Sequence, residues 1–433
     1  MSSGALVLIG CLIIVILAVL KVPIWISLLC GTVFIQHFCN HMSLNGLLVT
    51  LVENLNKSSL MCVPFFMLVG TIVQQTTMGE RLLNFCIILL RKIKGGLAVA
   101  SVVANGLFGA ISGSSGAAVA LFGKIVYKPL KETYDEDISL GIITTSATLS
   151  GIIPPSITFI MYGVTASTSV AKLFAAGVIP GILIVLCCCV YLMFRLNRME
   201  KKGTFTPSKV VYIGDIQDLT FRKAFLMALP VFVLPVIVFV GIYSGIFTPT
   251  EASAISALYC LICGFGLGDI KLKSSVTIFK SAIKTIVSII TLFTAASAFA
   301  QAITIAQLPQ LVSALFESFN KIQFLLFLNV LLLIVGCLID ATPAILIFVP
   351  ILMPTAVALG IDLVQLGVIF TINLSIGFFT PPFGMNLFIC QGVTHAGIGK
   401  IIHACVPYIF IYLALVLLFT YVPWFSMFLP GII

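Results

Sequence analysis

"GAISGSSGAAVA", residues 109–120, interrupts a chain of 433 residues that is 60% hydrophobic and only 9% charged. Soluble domains carry about 25% charged residues, so this composition describes a polytopic membrane protein. A bilayer core takes roughly 20 apolar residues per helical crossing, and runs of that kind recur from Ala5 to Leu429. A cluster of glycine, serine and alanine at that depth needs a reason. Backbone groups exposed at a turn inside hydrocarbon cost several kcal/mol each unless protein, water or an ion meets them. Glycine permits the turn and serine brings hydroxyls to it. The stretch reads as the tip of a hairpin, about 95–128, that enters the membrane and returns.

Around this hairpin, spans are expected near 5–20, 23–38, 60–77, 82–90, 138–165, 170–196, 222–244, 251–267, 276–306, 364–392 and 402–429. A short or interfacial segment falls at 43–56, and a second hairpin-like stretch at 324–358. The opening run has no basic residue ahead of it and no small-residue cleavage pattern before Lys21, which predicts a retained helix rather than a signal peptide. A polar linker, about 197–221, divides a first half, 1–196, from a second, 222–433. Arg195, Arg198, Lys201, Lys202, Lys209, Arg222 and Lys223 crowd this region and mark it as cytoplasmic. The net charge of +9 therefore reflects membrane topology. The remaining basic residues are scattered between spans without any binding motif, which excludes nucleic acid as a partner.

The two halves repeat. A constant displacement of 227 residues sets Gly109 on Gly336, Ser115 on Thr342, Ala117 on Ala344, Ser150 on Gly377 and Pro154–Pro155 on Pro381–Pro382, without a gap. Arg91, Lys92 and Lys94 precede the first hairpin, and Lys124, Lys128 and Lys131 follow its tip, so both ends of that hairpin are expected on the cytoplasmic side. Only Lys321 lies close to the second, whose ends are expected outside. The predicted fold class is accordingly an all-α polytopic membrane protein with inverted repeats. Each repeat holds a re-entrant helical hairpin and a transmembrane helix broken by a double proline, the layout of secondary transporters with sites near the midplane.

Proline cannot donate to the carbonyl four residues earlier. Pro154 and Pro155 therefore free the carbonyls of Ser150 and Gly151, and Pro381 and Pro382 those of Gly377 and Phe378. Such oxygens, with hairpin hydroxyls, suit a hard monovalent cation, while half-helix N-termini favour an anionic group such as a carboxylate. Ordinary helix contact through small residues would also use the glycines. Asp340, the one carboxylate at a hairpin tip, either neutralises a cation or caps the hairpin backbone. Asn105, Asn373 and Asn386 are open to two roles, substrate contact or interhelical hydrogen bond. His395 and His403 read as interfacial.

Several chemistries lack their equipment. Gly123-Lys124 is not a Walker A motif, since Ile125 stands where serine or threonine belongs and Ala118 where the first glycine belongs. No H-E-x-x-H and no true G-x-S-x-G occurs. Cys260 and Cys263 form a C-x-x-C with no second pair or histidine beside it, so the thirteen cysteines read as packed or lipid-facing thiols. Neither an enzyme nor a transition-metal protein is indicated.

"GLFGAISGSSGAAVA", "LSGIIPPSITFIMYG", "AGVIPG", "IDATPAILIFVPILMP" and "GFFTPPFGMNLFI" together resemble the large membrane subunit of the tripartite ATP-independent periplasmic (TRAP) transporters, the DctM-like family. The resemblance covers almost the whole chain. It implies sodium-coupled uptake of an organic acid anion (C4-dicarboxylate, keto acid or sugar acid) across a bacterial inner membrane, by elevator-type movement of the hairpin-bearing core. It also implies two partners, a small four-helix membrane subunit, which is not fused here, and a periplasmic substrate-binding protein. A first sodium site would use Ser112, Ser115 and backbone around Gly151 and Pro154, with Ser150 adjoining. A second would use Gly336, Gly377, Thr380 and Phe383, with Phe378 adjoining. The candidate substrate contacts are Asn105, Ser114, Ser156, Asp340, Thr342 and Asn386. A stand-alone ion-coupled dicarboxylate or anion carrier of the same inverted-hairpin class is the alternative.

Overall fold

The computed structural model describes residues 3–56, 58–203 and 219–433. The middle of the linker, with Lys209, lies outside the described residues. Among those described, all regular structure is helical, and seven segments are long and apolar enough to cross a bilayer. The first half comprises α1 (Ser3–Val19), α2 (Ile24–Phe38), α3 (Leu44–Leu55), a 3-10 turn at Ser58–Met61, α4 (Cys62–Gln75) and α5 (Met78–Leu90). The first hairpin follows as α6 (Gly96–Ser112) and α7 (Ser115–Thr133), then α8 (Glu136–Ser146), α9 (Leu149–Ile152), α10 (Ile157–Thr165) and α11 (Val170–Lys201). The second half runs α12 (Phe221–Tyr243), α13 (Pro249–Gly266), α14 (Leu272–Ile305) and α15 (Leu308–Leu315). The second hairpin is α16 (Lys321–Leu338) and α17 (Ala341–Ala358), followed by α18 (Leu363–Gly377), α19 (Met385–Thr394), α20 (Ile398–Tyr421) and α21 (Trp424–Met427).

Both hairpins are longer than the sequence reading set them. The first extends to Thr133, because Asp135 rather than the basic residues ends it, and the second starts at Lys321. The 227-residue spacing recurs in local structure. Asp135 Oδ1 accepts the Ile138 N–H (2.5 Å) at the start of α8. Asp362, 227 residues on, accepts from Val364 and Gln365 (2.7 and 3.3 Å) at the start of α18. Both double prolines contain a cis bond.

Two departures from that spacing have local causes. The long α14 corresponds to α3, the turn and α4 together; Pro64 in the first turn of α4 is tolerated only near a helix start, and its counterpart is Thr291. Helix α18 runs unbroken to Gly377, whereas its counterpart divides into α8 and α9 at Ala147–Thr148. There the hydroxyls of Thr144, Thr145, Ser146, Thr148 and Ser150 all donate back to carbonyls three or four residues earlier, at 2.6 to 2.7 Å. Such back-bonding competes with the helix ladder and bends it.

Packing crosses between the halves. Helix α2 lies on α14 and α4 on α13, while α7 lies on α19 and α10 on α17. Each hairpin thus rests its returning arm on the half-helix that follows the break in the opposite repeat. The hairpins and broken helices form one body, with α20 against α8 and α18, and α1, α2, α12, α13 and α14 a second. The two meet where α4 touches α6 and α14 touches α17, and they are joined further by α5, which packs on both α6 and α12, and by α15, which packs on both α14 and α17. At one end of the first body, Arg195 pairs with Asp135 (3.3 Å), Lys131 and Lys400 with Glu136 (2.9 and 3.3 Å), and His403 Nδ1 lies 3.4 Å from Asp137. These partly exposed pairs contribute little individually, but they tie α8 to α7, α11 and α20.

Candidate functional site

The two hairpin tips turn by different means. In the first, Gly113 takes a left-handed conformation (φ +59°) and its N–H bonds the Gly109 carbonyl (2.9 Å). Ser114 then caps α7, its hydroxyl accepting the Ala117 N–H (3.4 Å), and Ser112 Oγ accepts the Ser114 N–H (3.5 Å). In the second, Ile339 and Asp340 are extended and α17 starts directly. The exposed Asp340 side chain sets its carboxylate against the backbone N–H groups of Ala341 and Thr342, and its carbonyl accepts the Ala344 N–H (3.2 Å). Thr342 is buried in the first turn behind it.

Glycine is required where hairpin and broken helix touch. A Cβ on Gly109 would fall 2.5 Å from Ser150 Cα, and one on Gly377 would fall 2.1 Å from the Gly336 carbonyl carbon. These are the same two positions of the repeat. Real Cβ contacts do not approach that closely, so backbone meets backbone in both halves.

The double prolines break the helices as expected, but most of the carbonyls they release are engaged. Gly151 O accepts from Ser156 Oγ (2.6 Å). Phe378 O accepts the Asn386 N–H (2.9 Å), and Gly377 O the Thr380 N–H (3.2 Å). Each carbonyl has a second lone pair, so one direction per oxygen stays available. Thr380 Oγ1 donates to Ile376 O (2.7 Å). Pro154 and Ser150 are buried, whereas the Phe383 ring is 60% exposed, so at that position only backbone could serve a site.

The asparagines separate into two roles. Asn386, fully buried on α19, donates through Nδ2 to Ser115 Oγ (2.7 Å) and to the Thr144 carbonyl (3.1 Å), and Ser115 Oγ donates to Asn386 Oδ1 (3.0 Å). This joins the tip of the first hairpin to the second repeat. Asn105 instead donates to Ser146 Oγ (2.7 Å), tying α6 to α8, and Asn373 donates to Asn329 Oδ1 (2.7 Å), tying α18 to α16. Both are interhelical ties away from the tips. His395 is exposed at the end of α19 and His403 is exposed beside Asp137.

Two residues, one beside a hairpin tip and one beside a helix break, were not legible in the sequence. Gly70 on α4 lets that helix approach the first hairpin, since a Cβ there would lie 2.6 Å from Ser112 O. Ser375 on α18 is fully buried with no hydrogen-bond partner for its hydroxyl. The displacement of 227 pairs it with Thr148, which could have drawn notice to it. Around the tip of the first hairpin, Gly113 faces Ile157 at the start of α10, and Gly116 faces Met385 and Ile389 on α19. The beginnings of both half-helices therefore converge on one turn.

Proteins of similar sequence include transporter subunits. The chain is 35% identical over 395 residues to the C4-dicarboxylate TRAP transporter large permease protein DctM of Pseudomonas aeruginosa, covering 90% of each. It is 36% identical over 382 residues to the isethionate TRAP transporter permease protein DctMQ of Oleidesulfovibrio alaskensis, covering 87% of this chain and 59% of that one. The fold resembles that of the Alcanivorax borkumensis YdaH transporter, with a TM-score of 0.62 at 14% identity over 89% of this chain and 90% of that one. Residues 11–425 match the family described as the tripartite ATP-independent periplasmic transporter, DctM component. This chain belongs to that family, the large permease subunits of TRAP transporters.

Proposed function

We propose that this inner-membrane subunit imports a small organic acid anion in symport with sodium, receiving it from a periplasmic binding protein and working beside a small four-helix membrane subunit. The observation that carries the proposal is the convergence of the first hairpin tip with the starts of α10 and α19, cross-linked by Ser115 and Asn386. Helix N-termini attract an anionic head group. The surrounding hydroxyl and carbonyl oxygens suit a hard monovalent cation, and neither ligand then faces bare hydrocarbon. The halves are proposed to be inverted in the membrane, and the hairpin-bearing body to slide against the α2–α14 and α4–α13 body, which it touches through α4, α5, α14 and α15.

Relatives are named for a C4-dicarboxylate and for isethionate, one a carboxylate and the other a sulfonate. What the two share is a compact anionic group, which is the feature a pair of helix starts recognises. The test is uptake into proteoliposomes holding this chain and its small subunit, with the binding protein outside, using labelled succinate and isethionate as probes. Uptake that requires an inward sodium gradient is expected. Equal rates in choline and sodium would remove the coupling, and full uptake by this chain alone would make it a stand-alone carrier.

A further inference from the structure

Helix α11 carries no charged residue from Leu173 to Phe194, a stretch long enough to cross a bilayer core of about 30 Å. Its last turns then place Arg195, Arg198, Lys201 and Lys202 at the membrane boundary. Tyr191, Phe194, Arg195, Arg198, Met199 and Lys202 recur at helical spacing and line a groove of about 550 Å³ along one face. The aromatic end of this groove lies toward the bilayer and its cationic end toward water. The nearby acids are already engaged. Arg195 lies 3.3 Å from Asp135 and 3.8 Å from Asp137, and Glu200 pairs with Lys94. Among the described residues, neither Arg198 nor Lys202 has an acidic partner. Ile182, Leu186, Val190 and Phe194 form an exposed apolar ladder leading to the groove, the Phe194 ring being 71% exposed. Behind the groove, the Tyr191 ring packs edge-on against Tyr408 of α20, with 5.2 Å between centroids. An apolar ladder that ends in two unpaired cations complements an amphiphile with acyl chains and a negative head group. Basic pockets at that depth hold anionic head groups, and a guanidinium offers phosphate a fork of donors.

We propose that the end of α11 binds an anionic phospholipid, its phosphate held by Arg198 and Lys202 and its acyl chains lying along Val190 and Phe194. Helix α11 packs on α6, α9, α10, α18 and α20, so the lipid would fasten the hairpin-bearing body to the charged surface of one leaflet. The site involves neither the transported anion nor sodium, and it stands or falls apart from the symport reading above.

The test uses the full chain purified in an uncharged detergent, with dioleoyl phosphatidylglycerol as the probe and dioleoyl phosphatidylcholine as the zwitterionic comparison. Lipid bound per chain is counted by native mass spectrometry as lipid concentration rises. The wild type should retain phosphatidylglycerol at concentrations where phosphatidylcholine is lost. The pair Arg198→Gln and Lys202→Gln should weaken that binding on the order of thirtyfold, the share of two basic side chains at an anionic surface. The pair Lys280→Gln and Lys284→Gln, at exposed positions of α14, removes the same net charge elsewhere and should leave binding unchanged. Without lipid, both double variants should melt within a degree or so of the wild type, as surface substitutions do, which separates lost binding from misfolding. Equal weakening by both pairs would reduce the effect to overall charge and overturn the site. Displacement of the bound lipid by inorganic phosphate would overturn it in favour of a soluble anion, and displacement by the small membrane subunit in favour of a protein interface.

Discussion

Gly377→Ala isolates the contact on which the second hairpin depends. The added methyl carbon would lie 2.1 Å from the Gly336 carbonyl carbon, 2.4 Å from its oxygen and 2.5 Å from its Cα. All three are backbone atoms, so no rotamer change relieves the overlap. Hairpin and helix must part by about 1.3 Å before the nearest contact reaches the 3.4 Å of ordinary touch, in an interior packed as densely as an organic crystal. Overpacking of this kind costs about 1–3 kcal/mol where side chains can yield, and the cost here should sit at or beyond the upper end. The thermal midpoint of the purified chain should fall on the order of 3 °C or more. Gly392→Ala in α19 is the control. Nothing lies within 4 Å of the new methyl, and alanine is the better helix former by about 1 kcal/mol, so that variant should melt at or above wild type. A Gly377→Ala chain that melts within a degree or so of the wild type would refute the claim that backbone meets backbone at this crossing.

Two further outcomes follow from neighbouring contacts. Among single alanine substitutions, destabilisation should rank Gly377 above Gly70 above Gly151, because the nearest obstacle recedes from 2.1 to 2.6 to 3.0 Å and changes from several backbone atoms to one serine hydroxyl; a reversed order of thermal midpoints would contradict the geometry. Asn386→Leu keeps the volume but strands the Ser115 hydroxyl, at about 1–3 kcal/mol per orphaned group, and should abolish probe uptake in proteoliposomes, whereas Asn373→Leu should lower the melting midpoint and leave residual uptake.

Much of the arrangement was legible in the sequence wherever a residue has few alternatives. Double prolines cannot continue a helix, and a glycine-serine run at bilayer depth has little to do except turn. A fixed displacement of 227 residues then located the second hairpin from the first. What stayed hidden depended on which face of a helix meets which neighbour. Asn105, Asn373 and Asn386 look alike in sequence, yet only Asn386 reaches a hairpin tip, because α7 rests on α19 of the other half. The prolines did free carbonyls, but Ser156 and the Asn386 N–H reclaim two of them through contacts several residues away. Gly70 was invisible because nothing local shows that α4 will pass within touching distance of Ser112.

The exchanged resting places of the hairpin arms have a consequence for how the chain is made. The ribosome delivers the arm at 115–133 long before its bed at 385–394, so the first repeat, once inserted, must wait in the lipid with that flank unmatched. Neither repeat is a finished object without its sibling, and assembly of this subunit is completed only when nearly the last helix has arrived.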